Sequence, residues 1–183
     1  RDGTYLNQIE TLTFDNGEEI DLTQPIPLTG TEENDSFYGT PGDDIIEALG
    51  GNDVINSGAG DDLINAGDGD DRLDSGSGYD TINAGPGNDN MQAGDEDDVL
   101  EGGPGDDYAN GGLGDDTYLW SPGDGNDLLD DPSGDADVLV IGGGITANDV
   151  RFSVNGFGED LEVHIGDETI TINDQFKATY DGF

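Results

Sequence analysis

The chain has 183 residues, enough for one domain or two small ones, but only 31% of it is hydrophobic and 32 residues are glycine, so an ordinary apolar core is not expected. Its 44 acidic residues face only Arg1, Arg72, Arg151 and Lys177, giving a formal charge of -40 that excludes electrostatic attraction to nucleic acid or an anionic membrane and makes cations the natural partner. With no cysteine, neither disulfides nor thiolate metal sites can hold the fold together.

From the N-terminus, Ile9–Phe14 alternates apolar and polar residues as a strand does, Asp15-Asn16-Gly17 is a turn signal, and Glu19–Leu22 is a second short strand. Pro25 and Pro27 then punctuate the chain, so residues 1–28 read as the tail of a preceding β module, with further modules of a parent chain as neighbours. The missing initiator Met adds the expectation of a segment excised from that longer chain. No stretch has the apolar length of a membrane helix, so this segment is not expected to insert into a membrane.

From Gly30 to Leu119 ten nonapeptides follow in tandem with an aspartate at the sixth position of each: Asp35, Asp44, Asp53, Asp62, Asp71, Asp80, Asp89, Asp98, Asp107 and Asp116. Two residues after each aspartate stands a mostly large apolar residue: Phe37, Ile46, Ile55, Ile64, Leu73, Ile82, Met91, Leu100, Ala109 and Tyr118. No helical period fits this spacing. Pro122–Asp130 looks like one further repeat displaced by two residues, with Asp127 in the aspartate position, and Asp131-Pro132 reads as a turn. Val138–Ile141, Val150–Val154, Leu161–Ile165 and Thr169–Ile172 then read as strands of a C-terminal hairpin module over residues 131–183, with Asn155-Gly156 and Gly166-Asp167 as hairpin turns.

Nine residues suit half a turn of a wound coil. Glycines in a six-residue loop permit positive φ and close backbone approach, and a three-residue strand points its middle side chain inward. Two repeats make an 18-residue coil, and coils should stack about 4.8 Å apart as parallel strands. The fold class expected is therefore all-β: a parallel β-roll, or right-handed β-solenoid, over residues 29–130, flanked by antiparallel strands. The aspartates fall into two rows, Asp35 to Asp107 and Asp44 to Asp116. At roughly 5 Å and an effective dielectric near 20, each neighbouring pair would repel by about 3 kcal/mol, so the stack needs cations. Hard carboxylate and carbonyl oxygens suit Ca2+, which accepts six to eight ligands in flexible geometry, better than Mg2+.

The frame G-G-x-G-x-D-x-U-x, with U apolar, as in Ser57–Asn65 and Gly111–Leu119, resembles the calcium-binding nonapeptide of RTX (repeats-in-toxin) proteins exported by type I secretion. In that family an ion lies between equivalent turns of adjacent coils. It is held by the carbonyls at positions 2 and 4 and the Asp of one turn, and by the carbonyls at positions 1 and 3 and the Asp of the next. The resemblance thus implies ions between Gly58, Gly60, Asp62 and Ser75, Ser77, Asp80; between Gly67, Gly69, Asp71 and Ala84, Pro86, Asp89; and between Gly76, Gly78, Asp80 and Ala93, Asp95, Asp98. It also marks as ligands Thr40, Gly42 and Asp44 with Ser57, Ala59 and Asp62; Gly51 and Asp53 with Ala66, Asp68 and Asp71; Gly85, Gly87 and Asp89 with Gly102, Pro104 and Asp107; Gly94 and Asp98 with Gly111, Leu113 and Asp116; and Asp127. Five aspartates per row leave four gaps, so about eight Ca2+ ions are expected, moving the charge from -40 to -24. The first coil, around Asp35, is expected to bind weakly or not at all. Glu33 and Glu96 replace the fourth-position glycine, and Ala48-Leu49 replace the leading pair.

Asp160–Ile165 and Thr169–Phe176, together with Ile9–Gly17, resemble pieces of the haemolysin-type calcium-binding-related module found beside such repeats. The family resemblance implies a secreted or cell-surface, non-enzymatic module. It would be disordered without calcium, pass unfolded through the type I secretion machinery and fold outside; the alternative is an extender or ligand-binding segment of a large adhesin. An enzyme finds little support: there is one histidine, no G-x-S-x-G and no H-E-x-x-H, and His164 reads as a solvated strand residue. Trp120 is expected to cap the open end of the roll. The outward row Ile45, Leu63, Thr81, Val99 and Thr117 is the drier face and a candidate dock for the C-terminal strands.

Overall fold

The computed structural model describes residues 11–13, 19–21, 27–131, 136–155 and 160–173, and among these every regular element is a strand. Ile9, Phe14, the Asp15-Asn16-Gly17 turn, Leu22, Pro25, Pro132, Gly156 and Phe176 lie outside the described residues. Near the N-terminus, β1 (Thr11–Thr13) pairs antiparallel with β2 (Glu19–Asp21).

The repeats wind back and forth between two parallel sheets. One holds β3 (Pro27–Thr29), β5 (Ile45–Glu47), β7 (Leu63–Asn65), β9 (Thr81–Asn83), β11 (Val99–Glu101), β13 (Thr117–Trp120) and β15 (Val138–Ile141). The other holds β4 (Ser36–Tyr38), β6 (Val54–Ala59), β8 (Arg72–Ser77), β10 (Asn90–Asp95), β12 (Tyr108–Leu113) and β14 (Leu128–Leu129). The register advances by 18 residues per coil, as in Ile46↔Ile64↔Ile82 and Ile55↔Leu73↔Met91, which makes the fold a parallel β-solenoid of the expected kind.

The core is a narrow stack. Ile46, Ile55, Ile64, Leu73, Ile82, Met91 and Leu100 are fully buried between the sheets, each over its counterpart from the next coil. A second inward row stands two residues further on: Ala48, Ser57, Ala66, Ser75, Ala84 and Ala93 are also fully buried. Only small side chains fit where the coil narrows toward its loop. The buried hydroxyls are satisfied along the stack, Ser57 donating to the Ser75 carbonyl at 3.1 Å and Ser75 to that of Ala93 at 2.9 Å. Sequence reading gave Ser57, Ala66, Ser75, Ala84 and Ala93 a role through their carbonyls alone and marked Ala48 only as a departure from the frame; their side chains build the core.

At its C-terminal end the roll runs past the last perfect nonapeptide. Val138–Ile141, expected in a hairpin module, instead continues the first sheet in parallel with β13. The second sheet passes from β14 to β18 (Glu168–Ile172) in parallel, then to β17 (Leu161–Ile165) and β16 (Val150–Val154) in antiparallel order. Val163, Ile165 and Ile170 extend the core of the roll. Parallel pairing thus runs from Pro27 to Ile141 and takes in β18 as well, beyond the 29–130 span expected.

Two expectations change. Trp120 is 4% exposed and its strand edge is covered by β15, so the indole is an interior packing residue and not a cap on an open end. β15 prolongs the end of the sheet that carries the Ile45, Leu63, Thr81 row and β16–β18 prolong the opposite sheet, so the row is not covered; Leu63 stays 39% exposed.

Candidate metal centres

From Leu49 onward most of the loops between strands are set by two left-handed positions per repeat. Gly58 (φ 109) and Gly60 (φ 113), like Gly67 (φ 105) and Gly69 (φ 137), adopt φ values that side chains disfavour. They also sit on the preceding coil: a Cβ on Gly76 or Gly78 would collide with the carbonyl oxygen of Gly58 or Gly60. These two carbonyls therefore face the next loop, as an ion between coils requires. At two places where the frame lacks glycine, Leu49 (φ 80) and Glu96 (φ 78) are held left-handed, whereas Thr31, Glu33 and Thr40 in the first two repeats are not.

Carbonyls at positions 1 and 3 close the loops against one another. Gly60 N–H donates to Ser77 O at 2.9 Å, Gly69 N–H to Pro86 O at 2.8 Å and Gly67 N–H to Ala84 O at 2.9 Å, each leaving the acceptor a second lone pair.

Two ladders of side chains run up the loops. In the inner one, the N–H of every row aspartate donates to Oδ1 of the aspartate one coil on: Asp44 to Asp62 at 2.8 Å, Asp62 to Asp80 at 2.8 Å, Asp53 to Asp71 at 2.7 Å. The outer ladder runs in the opposite direction from the residue just before. Oδ1 of Asn34 accepts from Asn52 N–H at 2.9 Å, Asp43 from Asp61 at 3.0 Å and Asp70 from Asn88 at 2.9 Å. Each Asp-Asp or Asn-Asp pair thus divides its work between an exposed tie and a buried one.

The second oxygen of the inner aspartates is what marks the site. Oδ2 of Asp53, Asp62, Asp71, Asp80, Asp89, Asp98, Asp107 and Asp116 is buried and accepts no hydrogen bond. A buried carboxylate oxygen without a partner is costly. The cost appears as displaced proton equilibria: burial pushes the carboxyls of Asp71 and Asp116 up to about 6, those of Asp89, Asp107 and Asp127 to about 7, and that of Asp98 to about 8. Neighbouring carboxylates raise them further, while the donated backbone N–H lowers each. Burial likewise raises Asp62 and Asp80. Stacked, dry carboxylate oxygens facing loop carbonyls fit a hard divalent cation.

The RTX calcium-binding nonapeptide repeat family matches residues 29–64, 48–82 and 83–118. Residues 29–118 are RTX calcium-binding repeats. In this family the repeats form a calcium-binding scaffold and are not themselves catalytic. No curated protein matches the chain. Among solved structures, the extracellular lipase LipA from Serratia marcescens matches at 20% identity and TM-score 0.38, over 87% of this chain and 39% of the lipase. The AlgE6R3 subunit of the mannuronan C5-epimerase from Azotobacter vinelandii matches at 20% identity and TM-score 0.32, over 80% of this chain and 74% of that subunit. The chain therefore spans well under half the length of the lipase. Among the described residues no helix is long and apolar enough to cross a membrane.

Within the RTX roll the ten expected aspartates do stand in two rows, but not in one state. Asp35 and Asp44 turn Oδ2 into their own loops, where it accepts the N–H of Thr31 at 2.7 Å and of Thr40 at 2.6 Å. Asp127 continues the first row, its Oδ1 taking Asp107 N–H at 2.9 Å across a 20-residue step. Asp137 continues the second: its Oδ1 takes Asp116 N–H at 3.0 Å across 21 residues, and Val138 pairs with Thr117. Sequence reading missed Asp137 because its step breaks the nine-residue count; the signal available was an aspartate directly before a strand, as at Asp116.

His164 is partly buried on β17 and meets Ser153 Oγ at 2.7 Å and Thr169 Oγ1 at 3.0 Å. Ser153 donates to Glu162 at 2.6 Å. The imidazole thus meets a hydroxyl on each side, with Glu162 Oε2 3.4 Å from its Nε2, in a cross-strand polar ladder on an exposed face.

Proposed function

We propose that this chain is a calcium-dependent folding module of a larger secreted or cell-surface protein. Its repeats remain expanded at low calcium, so that the chain can pass a type I exporter, and fold when calcium fills the two aspartate rows outside the cell. The observation that carries this reading is the set of eight buried, unpartnered Oδ2 atoms. Each would take a ligand position on Ca2+, with about eight ions in all.

The residues that would hold an ion between two coils are those named from the family pattern, for example Gly58, Gly60 and Asp62 with Ser75, Ser77 and Asp80. Calcium there neutralises the stacked charge and supplies the partner each Oδ2 lacks, so binding and folding become one equilibrium. The role is structural. Ala48, Ser57 and their equivalents cannot supply a large core, which leaves metal ligation as the main cohesive force along the loops. We assign the flanking strands to the related module, closing the roll through β18 on β14.

Small-angle scattering tests this. A compact particle at millimolar calcium and an expanded chain in chelator are expected. Equal radii under both conditions would remove the coupled-folding reading.

A further inference from the structure

At the C-terminal end of the second row the nonapeptide frame is gone, yet three carboxylates converge: one oxygen each from Asp116, Asp131 and Asp137 lies within 4.8 Å of the others. Asp116 is 0% exposed, and its Oδ2 is buried without a hydrogen-bond partner. That oxygen and the Tyr118 hydroxyl border the same small space beside Gly111, where an added Cβ would collide with both. The phenol is itself fixed, accepting Gly111 N–H at 2.7 Å and donating to Asp131 Oδ2 at 2.8 Å. Asp137 is fixed from the other side, its Oδ1 accepting Asp116 N–H at 3.0 Å. All three carboxylates are therefore oriented by hydrogen bonds.

We propose that Asp116, Asp131 and Asp137 bind a further hard divalent cation, Ca2+ being the fitting ion, at a site outside the nonapeptide repeats. It rests on the reading that the roll binds calcium, but its ligands differ in kind. A repeat site draws most of its oxygens from loop carbonyls, whereas here the side chain of Asp131, held by Tyr118, contributes a carboxylate. Asp131 follows β14 and Asp137 precedes β15, so one ion ties the ends of both strands to the Asp116 coil. Docking of β15 over Trp120 then becomes calcium-dependent.

Calcium positions in wild-type crystals, located by anomalous diffraction, test this without a variant. A peak between the three carboxylates, about 2.3–2.6 Å from an oxygen of each, is expected. Peaks along the two repeat rows with none at this place would overturn the inference, and no peaks anywhere would overturn the repeat reading as well. Asp131→Asn gives an independent readout, because its amide oxygen can still accept the Tyr118 proton while the charge is lost. By native mass spectrometry in calcium this variant should carry one ion fewer than wild type, and Trp120 fluorescence should need several-fold more calcium to reach its folded value. An unchanged ion count would contradict the site.

Discussion

The main-chain N–H of Asp80 donates to Oδ1 of Asp98 at 2.7 Å, while Oδ2 of the same Asp98 is buried and unpartnered. One oxygen therefore ties the backbone of the neighbouring coil, and the other is left without a hydrogen-bond donor. Asp98→Asn keeps an acceptor for Asp80 N–H but removes a charge whose protonation is shifted to about 8. In chelator this variant should hold more residual structure than wild type. At saturating calcium it should melt earlier, by about 1–3 kcal/mol of lost stability. Opposite signs in the two conditions, read by thermal unfolding, separate a ligand from a residue that merely packs. Asp35→Ala, whose Oδ2 already accepts Thr31 N–H, should change the calcium-bound melt by no more than about 0.5–1 kcal/mol.

Close approach of successive loops predicts a contrast between two glycines. Gly69→Ala places a methyl against the Gly51 carbonyl in a backbone–backbone collision that no rotamer relieves. Gly123 has a similar positive φ of 106 with nothing within 4 Å of a new Cβ. Gly69→Ala should cost at least about 3 kcal/mol or abolish calcium-induced folding, and Gly123→Ala about 1–2 kcal/mol. Circular dichroism at fixed calcium decides it.

Leu49 is held at φ 80 and is 45% exposed, so it bears the strain of a left-handed position and buries little in return. Leu49→Gly should stabilise the calcium-bound roll by about 1 kcal/mol and lower the calcium midpoint. A destabilised variant would show that the Leu49 side chain packs usefully despite its exposure.

The architecture was legible in the sequence because a single period of nine fixed three things together: the inward residue, the left-handed glycines and the aspartate rows. What escaped had no such period. The small inward row from Ala48 to Ala93 stands at the same place in each repeat, but glycine, alanine and serine there look like loop residues until the taper of the coil is seen. Asp137 and Asp131 could not be placed because insertions of two and three residues carry the rows onward out of count. Trp120 looked terminal for the same reason: β15, which covers it, has lost the repeat frame.

Acid should partly replace calcium. Unfolded aspartates titrate near 4, whereas burial raises the folded row to about 6 at Asp71, about 7 at Asp89 and about 8 at Asp98. The metal-free roll thus binds more protons than the unfolded chain between about pH 4 and about pH 8, and its stability falls as pH rises through that window. In chelator, far-UV circular dichroism should show more β-structure at pH 5 than at pH 8. Metal-free structure that grew with pH would be incompatible with these buried carboxyls.

Calcium titration followed by far-UV circular dichroism, with magnesium as control, bears most directly on the coupling of the two aspartate rows to folding. A chain without β-structure in chelator that gains it cooperatively with calcium, and not with magnesium at the same concentration, is the expected result. A chain already β-structured in chelator at neutral pH would contradict that coupling, and an equal response to magnesium would contradict the choice of ion.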